Sequence, residues 1–233
     1  MRYEIEGGNL PVVTCYLDAY ETLQSERGAM SWMSPNMQMA TNTGGGLKKA
    51  MGRLLSGESI FLNEYTAQGG PGMIAFASSF PGSIIPFQVT LENGGIIIQK
   101  RGFLAMTKGM NLSVYFQKRL GSGLFGGEGF IMQKISGNGT VFIEIDGHCK
   151  PFNLRAGESI LVDTGCLAAM TPSCSMSVEM VKGIGNVLFG GEGIFNTKIT
   201  GPGTVYLQSM PIANTAAAIR PHLNIQQNNN RGN

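Results

Sequence analysis

Three carboxylates recur in one setting. Glu128 lies in LFGGEG at Leu124 to Gly129, Glu192 lies in the same six residues at Leu188 to Gly193, and Glu58 lies in Leu55-Ser56-Gly57-Glu58-Ser59. Equivalent carboxylates that converge can hold a hard cation, because such ions take oxygen ligands. A carboxylate in a glycine turn also has a simpler use, accepting backbone N–H bonds where the chain reverses. We read Glu58, Glu128 and Glu192 as turn caps, with a cation site or a partner contact as the alternative. A phosphate loop does not fit. Such loops aim backbone N–H groups and a helix N-terminus at the anion. Here the following GFIMQKI reads as a strand, no Gly-Lys-Ser/Thr is present, and the Glu itself repels phosphate.

The remaining reactive side chains do not assemble into a catalytic set. His148 and His222 are the only histidines. A cupin-type metal centre needs two or three histidines plus a carboxylate on neighbouring strands. His148 stands alone in the DGHCK turn and His222 lies in the C-terminal tail. Adjacent residues of a strand point to opposite faces, so His148 and Cys149 do not form a nucleophile pair. SGESI has the wrong order for a serine elbow. We therefore expect no catalytic residue, no cofactor and no resident metal, and a protein that is not an enzyme. Cys15, Cys149, Cys166 and Cys174 form no CxxC pair, which reads as reduced thiols in the cytoplasm. The start, MRYEIEGG, has no basic segment followed by an apolar run, so no signal peptide is expected.

Composition narrows the partners. Charged residues make up 14% of the 233, against roughly 25% in an average domain. With so few charges to keep the surface wet, part of it is expected to be buried in a homo-oligomer. The net charge is +2 and the basic doublets Lys48-Lys49, Lys100-Arg101 and Lys118-Arg119 are scattered. Binding a phosphate backbone needs clustered cations, so this pattern argues against nucleic acid. Thr66 to Leu91 carries no charge, but GGPG, Pro81-Gly82 and Pro86 interrupt it. A spanning helix needs about 20 unbroken apolar residues, so we read two buried strands with turns and no transmembrane segment.

The elements that carry these residues repeat. Gly121 to Ile145 aligns with Gly185 to Ser209 at a constant offset of 64 without a gap. Gly102-Phe103-Leu104-Ala105 matches Gly165-Cys166-Leu167-Ala168 at an offset of 63. The first third is a looser copy, anchored by Met33-Ser34-Pro35 against Met170-Thr171-Pro172 and by Gly70-Pro71-Gly72 against Gly201-Pro202-Gly203. This gives three units, residues 1–80, 81–147 and 148–210, followed by a polar tail, 211–233, expected to be mobile or extended. IIIQKRGFLAMT, NLSVYFQKR, GFIMQKIS and GTVFIEI read as strands. KISGNGTVF and KITGPGTVY read as hairpins. About five strands per unit implies sandwich-like or rolled β packing three times over. GGGLKKAMGRLL in the first unit is the expected short helix, with Leu47, Met51, Leu54 and Leu55 on one side and Lys48, Lys49 and Arg53 on the other.

WMSP, GGGLKKAMGRLLSGESIFLNEYTA and the two LFGGEG units ending in GPGTVYLQS together resemble a large bacterial and fungal family, up to about Met210. Its fungal members are named for altered inheritance of mitochondria. The resemblance implies a fold like the trp RNA-binding attenuation protein: three jelly-roll-like β units per chain around a pseudo-threefold axis. Fungal relatives are associated with the mitochondrial inner membrane and its organisation. The family has no established catalytic residues to carry over. No mitochondrial presequence is evident, so the bacterial, cytoplasmic reading fits better.

Two functions then compete. The first is a non-enzymatic β scaffold or assembly protein, working with a protein partner or at a membrane surface. Its contact residues would be Trp32 and the basic insert face of Lys48, Lys49 and Arg53. The second is a small-ligand or cation-binding protein with a pocket between β units. RNA binding ranks below both. We read Trp32 as core, with an interface anchor as the alternative, and expect Met33, Met37 and Met39 to fill the β core. We favour the scaffold.

Overall fold

The computed structural model describes residues 1–42, 62–118, 129–180 and 195–223. The fold is all-β. An N-terminal strand, β1 (Arg2–Glu6), precedes β2 (Val12–Leu17), β3 (Thr22–Ser25), β4 (Met30–Met33), β5 (Met37–Asn42), β6 (Leu62–Ala67) and β7 (Gly72–Ala77). Then come β8 (Gly82–Val89), β9 (Ile96–Gln99), β10 (Phe103–Thr107), β11 (Asn111–Lys118), β12 (Phe130–Ser136) and β13 (Gly139–Asp146). The last group is β14 (Cys149–Leu154), β15 (Ser159–Asp163), β16 (Leu167–Met170), β17 (Ser175–Met180), β18 (Phe195–Thr200) and β19 (Gly203–Gln208). A helix, α1 (Ile212–Ile219), follows.

Four antiparallel sheets result, with strand orders β1-β2-β7-β4, β5-β6-β3-β10-β13-β8, β11-β12-β9-β16-β19-β14 and β15-β18-β17. Pairing falls in the same order along the chain. β2–β7, β8–β13 and β14–β19 pair, and so do β4–β7, β10–β13 and β16–β19. β5–β6, β11–β12 and β17–β18 pair, as do β3–β6, β9–β12 and β15–β18. Two further pairings splice one group of strands to the next: β3 to β10 and β9 to β16.

Three hydrophobic cores lie between the sheets, and each crosses a splice. The first joins Val13, Cys15, Leu17, Ile74 and Phe76 to Leu104, Ala105 and Phe142. The second joins Val89, Ile98, Met106 and Val141 to Ala168 and Ala169. The third joins Met170, Val178, Ile199 and Val205 to Ile97, Phe130 and Met132. Edge-on rings lock the splices, Tyr3 against Phe142 and Phe87 against Tyr206, both with centroids 5.0 Å apart. Burying a large apolar side chain contributes about 1.5–3 kcal/mol, so the packing between groups matters as much as the packing within them.

Period-2 alternation is plain in β6, where Asn63, Tyr65 and Ala67 face inward. It is lost in β9, whose Ile96, Ile97 and Ile98 are all buried, because cores cover both faces of its sheet.

Four expectations change. IIIQKRGFLAMT is two strands, because a 3-10 turn at Lys100–Gly102 breaks it and carries the chain from the sheet of β9 to that of β10. A second such turn, Thr164–Cys166, separates β15 from β16. The described residues therefore hold six strands per group plus β1, nineteen in all, rather than about five per unit. KISGNGTVF and KITGPGTVY are not hairpins: β12 and β13 lie in different sheets, as do β18 and β19. Their glycines turn a sandwich corner. A Cβ on Gly139 would collide with the Thr107 hydroxyl, which accepts the Thr140 N–H at 3.2 Å.

The tail begins with α1 rather than extended chain. Its Ala216-Ala217-Ala218 run favours helix. The Asp146 carboxylate accepts the Ile212 N–H at 2.8 Å, a distant cap that also complements the helix dipole. The expected helix around Lys48 to Leu55 lies outside the described residues. The uncharged stretch does form β7, β8 and their turn. No helix among the described residues is long and apolar enough to cross a membrane.

Candidate functional site

Of the residues singled out above, Glu58, Glu128, Glu192, Lys48, Lys49 and Arg53 lie outside the described residues. Trp32 lies within them, and it is not core: 49% of its surface is exposed. It sits on β4, which pairs with β7 on one side and with no described strand on the other.

The segment around Trp32 is firmly held. The Ala77 N–H donates to Ser31 Oγ at 3.0 Å. Ser34 Oγ accepts the Met73 N–H at 2.9 Å and donates to Asn36 Oδ1 at 2.8 Å. Asn36 Nδ2 reaches the Pro71 carbonyl at 3.0 Å. WMSPN is thus a braced strand end that presents one large aromatic. Met37 is core and Met33 packs against it, but Met39 is 52% exposed, so it does not fill the core as expected.

The reason for the exposed Trp lies in the register. Trp32 stands opposite Ala75. At the matching positions Ala105 stands opposite Phe142 and Ala169 opposite Tyr206. Large and small have changed places across the strand pair. Phe142 and Tyr206 find their aromatic partners in the preceding group of strands. Trp32 belongs to the first group, which has no predecessor in the described chain.

The chemistry elsewhere is quiet. Burial pushes the Cys15 thiol up to about 12, and raises Cys149 and Cys166 as well. None is thereby activated as a nucleophile, and all four cysteines are free. His148 is exposed in the turn before β14, where its N–H donates to Ser209 Oγ at 2.9 Å. Among the described residues no group of three or more His, Cys, Asp or Glu is placed to hold a metal. An open groove of about 480 Å³ runs beside Arg2, Tyr16, Asp18 and Ser34. Its cation is engaged, for the Arg2 guanidinium lies 4.2 Å over the Tyr16 ring and pairs with Glu4.

An all-β protein of antiparallel sheets, with a braced edge strand that no described strand covers, is the class these features define. The chain belongs to the mitochondrial biogenesis AIM24 family, whose profile matches residues 3–210. It is similar in fold to a crystal structure of a Streptococcus pyogenes protein, with 23% identity, a TM-score of 0.77, and coverage of 95% of this chain and 99% of that one. A comparison with curated proteins finds no match.

Two residues of interest escaped the sequence reading. Leu161 on β15 is 60% exposed and Phe152 on β14 is 36% exposed. No local signal marks them, because exposure depends on what covers each strand: the pairings place Leu161 where Ile97 stands and Phe152 where Phe87 stands.

Proposed function

We propose that this protein is a non-enzymatic β scaffold that works through its sheet edges and exposed apolar side chains, in contact with other protein surfaces. The observation that carries this reading is Trp32, held half-exposed on a braced strand whose outer edge no described strand pairs. Large aromatics in such positions anchor interfaces because they bury much area at little entropic cost. The side-chain-filled cores and the open groove support it over a ligand-binding role, which needs polar groups converging in an enclosed pocket. The low charge content supports it over RNA binding. The four free thiols fit a reducing compartment.

Native mass spectrometry of the untagged protein from its own host is the test. The scaffold reading expects assemblies whose masses are made of protein alone. A constant small extra mass on every subunit would overturn it in favour of a bound ligand or ion.

A further inference from the structure

Among its described residues the chain holds two strand edges, at β4 and β15, whose counterparts elsewhere in the fold pair with each other. In the two six-stranded sheets, β3 joins β10 and β9 joins β16. The strand matching β3 and β9 in the last group is β15, and the strand matching β10 and β16 in the first group is β4. Among the described residues β15 pairs with β18 alone and β4 with β7 alone. Other strands also end sheets: β5, β11 and β17 do so in all three groups, and β8 and β14 do so where their counterpart β2 is covered by the extra N-terminal strand β1. Among the described residues, β4 and β15 are the two strands that lack the splice partner which their counterparts β10 and β16, and β3 and β9, possess.

The side chains agree. Leu161 occupies the position of Ile97, yet Leu161 is 60% exposed and Ile97 0%. Trp32 occupies the position of Ala105 and Ala169, yet it is 49% exposed and they are 0%. Phe152 occupies the position of Phe87, which packs edge-on against Tyr206. No ring among the described residues meets Phe152 in this way, and Trp32 is the aromatic at the equivalent strand pair. The exposed apolar surface at one end of the chain is what its other end is shaped to cover.

We infer that β15 of one copy pairs antiparallel with β4 of a second copy, completing a sheet of order β17-β18-β15-β4-β7-β2-β1 across the two chains. Register follows from the internal splices, where Ile98 faces Ala169 and Ile97 faces Met170. Val162 of one copy faces Trp32 of the next, and Leu161 faces Met33. Leu161 then closes the flank of the first core, where Met30 and Met33 are only partly buried, and Trp32 meets Phe152. The contact is head-to-tail, so it builds a ring where the rotation closes and a filament where it does not. Each joint is a sheet-edge addition held by main-chain hydrogen bonds, with side chains setting the register. This deepens the scaffold reading and rests on it, naming a second copy of the chain as the partner.

The test uses full-length protein. Sedimentation velocity is expected to show species heavier than the 24.8 kDa chain, growing with concentration. Trp32→Asp and Leu161→Lys should each return the mass to that of the monomer while circular dichroism and the denaturation midpoint stay unchanged. Direction is read by cysteine pairing. Under mild oxidation a Met33→Cys chain mixed with a Leu161→Cys chain should form a disulfide dimer, while neither alone should exceed the unmutated control. A parent monomeric at every concentration would overturn the inference, as would dimers from one variant alone or an intrachain disulfide in the double variant. A ligand-free monomer would leave the broader scaffold reading standing, whereas a bound small molecule would remove that reading whatever the assembly state.

Discussion

Ile97 and Leu161 occupy the same position in successive groups of strands, and truncating each should cost very different amounts. Ile97 is fully buried between β12, β16 and the third core. Ile97→Ala removes buried methyl groups and leaves a cavity, so it should cost about 2–5 kcal/mol. Leu161 keeps 60% of its surface in water. Full burial of a Leu contributes about 1.5–3 kcal/mol, so Leu161→Ala should cost about 1 kcal/mol or less in the single chain. The assay is urea denaturation of both variants, at a dilution where sedimentation shows only the 24.8 kDa chain. The difference should exceed about 1 kcal/mol and appear as a midpoint shift at constant slope. Equal losses would refute the reasoning, because they would mean that the outer face of β15 is already covered within one chain. At higher concentration the Leu161→Ala penalty should grow, since assembly would then contribute to the stability of the parent alone.

Gly139→Ala should destabilise by about 1–3 kcal/mol through the collision with Thr107 at the sandwich corner, and Gly139→Ala combined with Thr107→Ser should not restore the parent midpoint if the hydroxyl is the obstacle. Asp146 is raised above its ordinary 3.8, first by burial, with the Ile212 N–H and Arg101 only partly offsetting it. A raised carboxylate contributes stability at low pH that is lost as pH rises through its folded value. Asp146→Asn keeps an acceptor for Ile212, so its stability relative to the parent should increase as pH climbs above 3.8; a decrease in a pH series of denaturation curves would contradict this. Thiol titration of the native protein should label the half-buried Cys149 and Cys166 well before Cys15 and Cys174, with Cys15 reacting only when the strands around it open.

Much of this protein could be read from its residues. The gap-free match between residues 121–145 and 185–209 already implied recurring strands, because equal spacing of β-branched residues and glycines forces equal local geometry. WMSP marked the segment that Ser34 and Asn36 brace. What the sequence withheld was partnership. IIIQKRGFLAMT looks like one strand, since nothing local says that Lys100–Gly102 must step between sheets. KISGNGTVF looks like a hairpin because its turn residues suit one, and only the sheet assignments show that the glycines turn a corner. The Ala-rich start of the tail became helical when Asp146, far away in sequence, capped it.

The sequence by itself thus determined the all-β character and the spacing of the strands, because side-chain periodicity and turn chemistry act over a few residues. Tertiary structure alone decided which strands are interior and which are edges. Burial is a property of the neighbour as much as of the residue. Ile97 and Leu161 are similar side chains at one position of one pattern, and the difference between them is that β16 lies beside β9 on the side away from β12, whereas no described strand lies on the side of β15 away from β18.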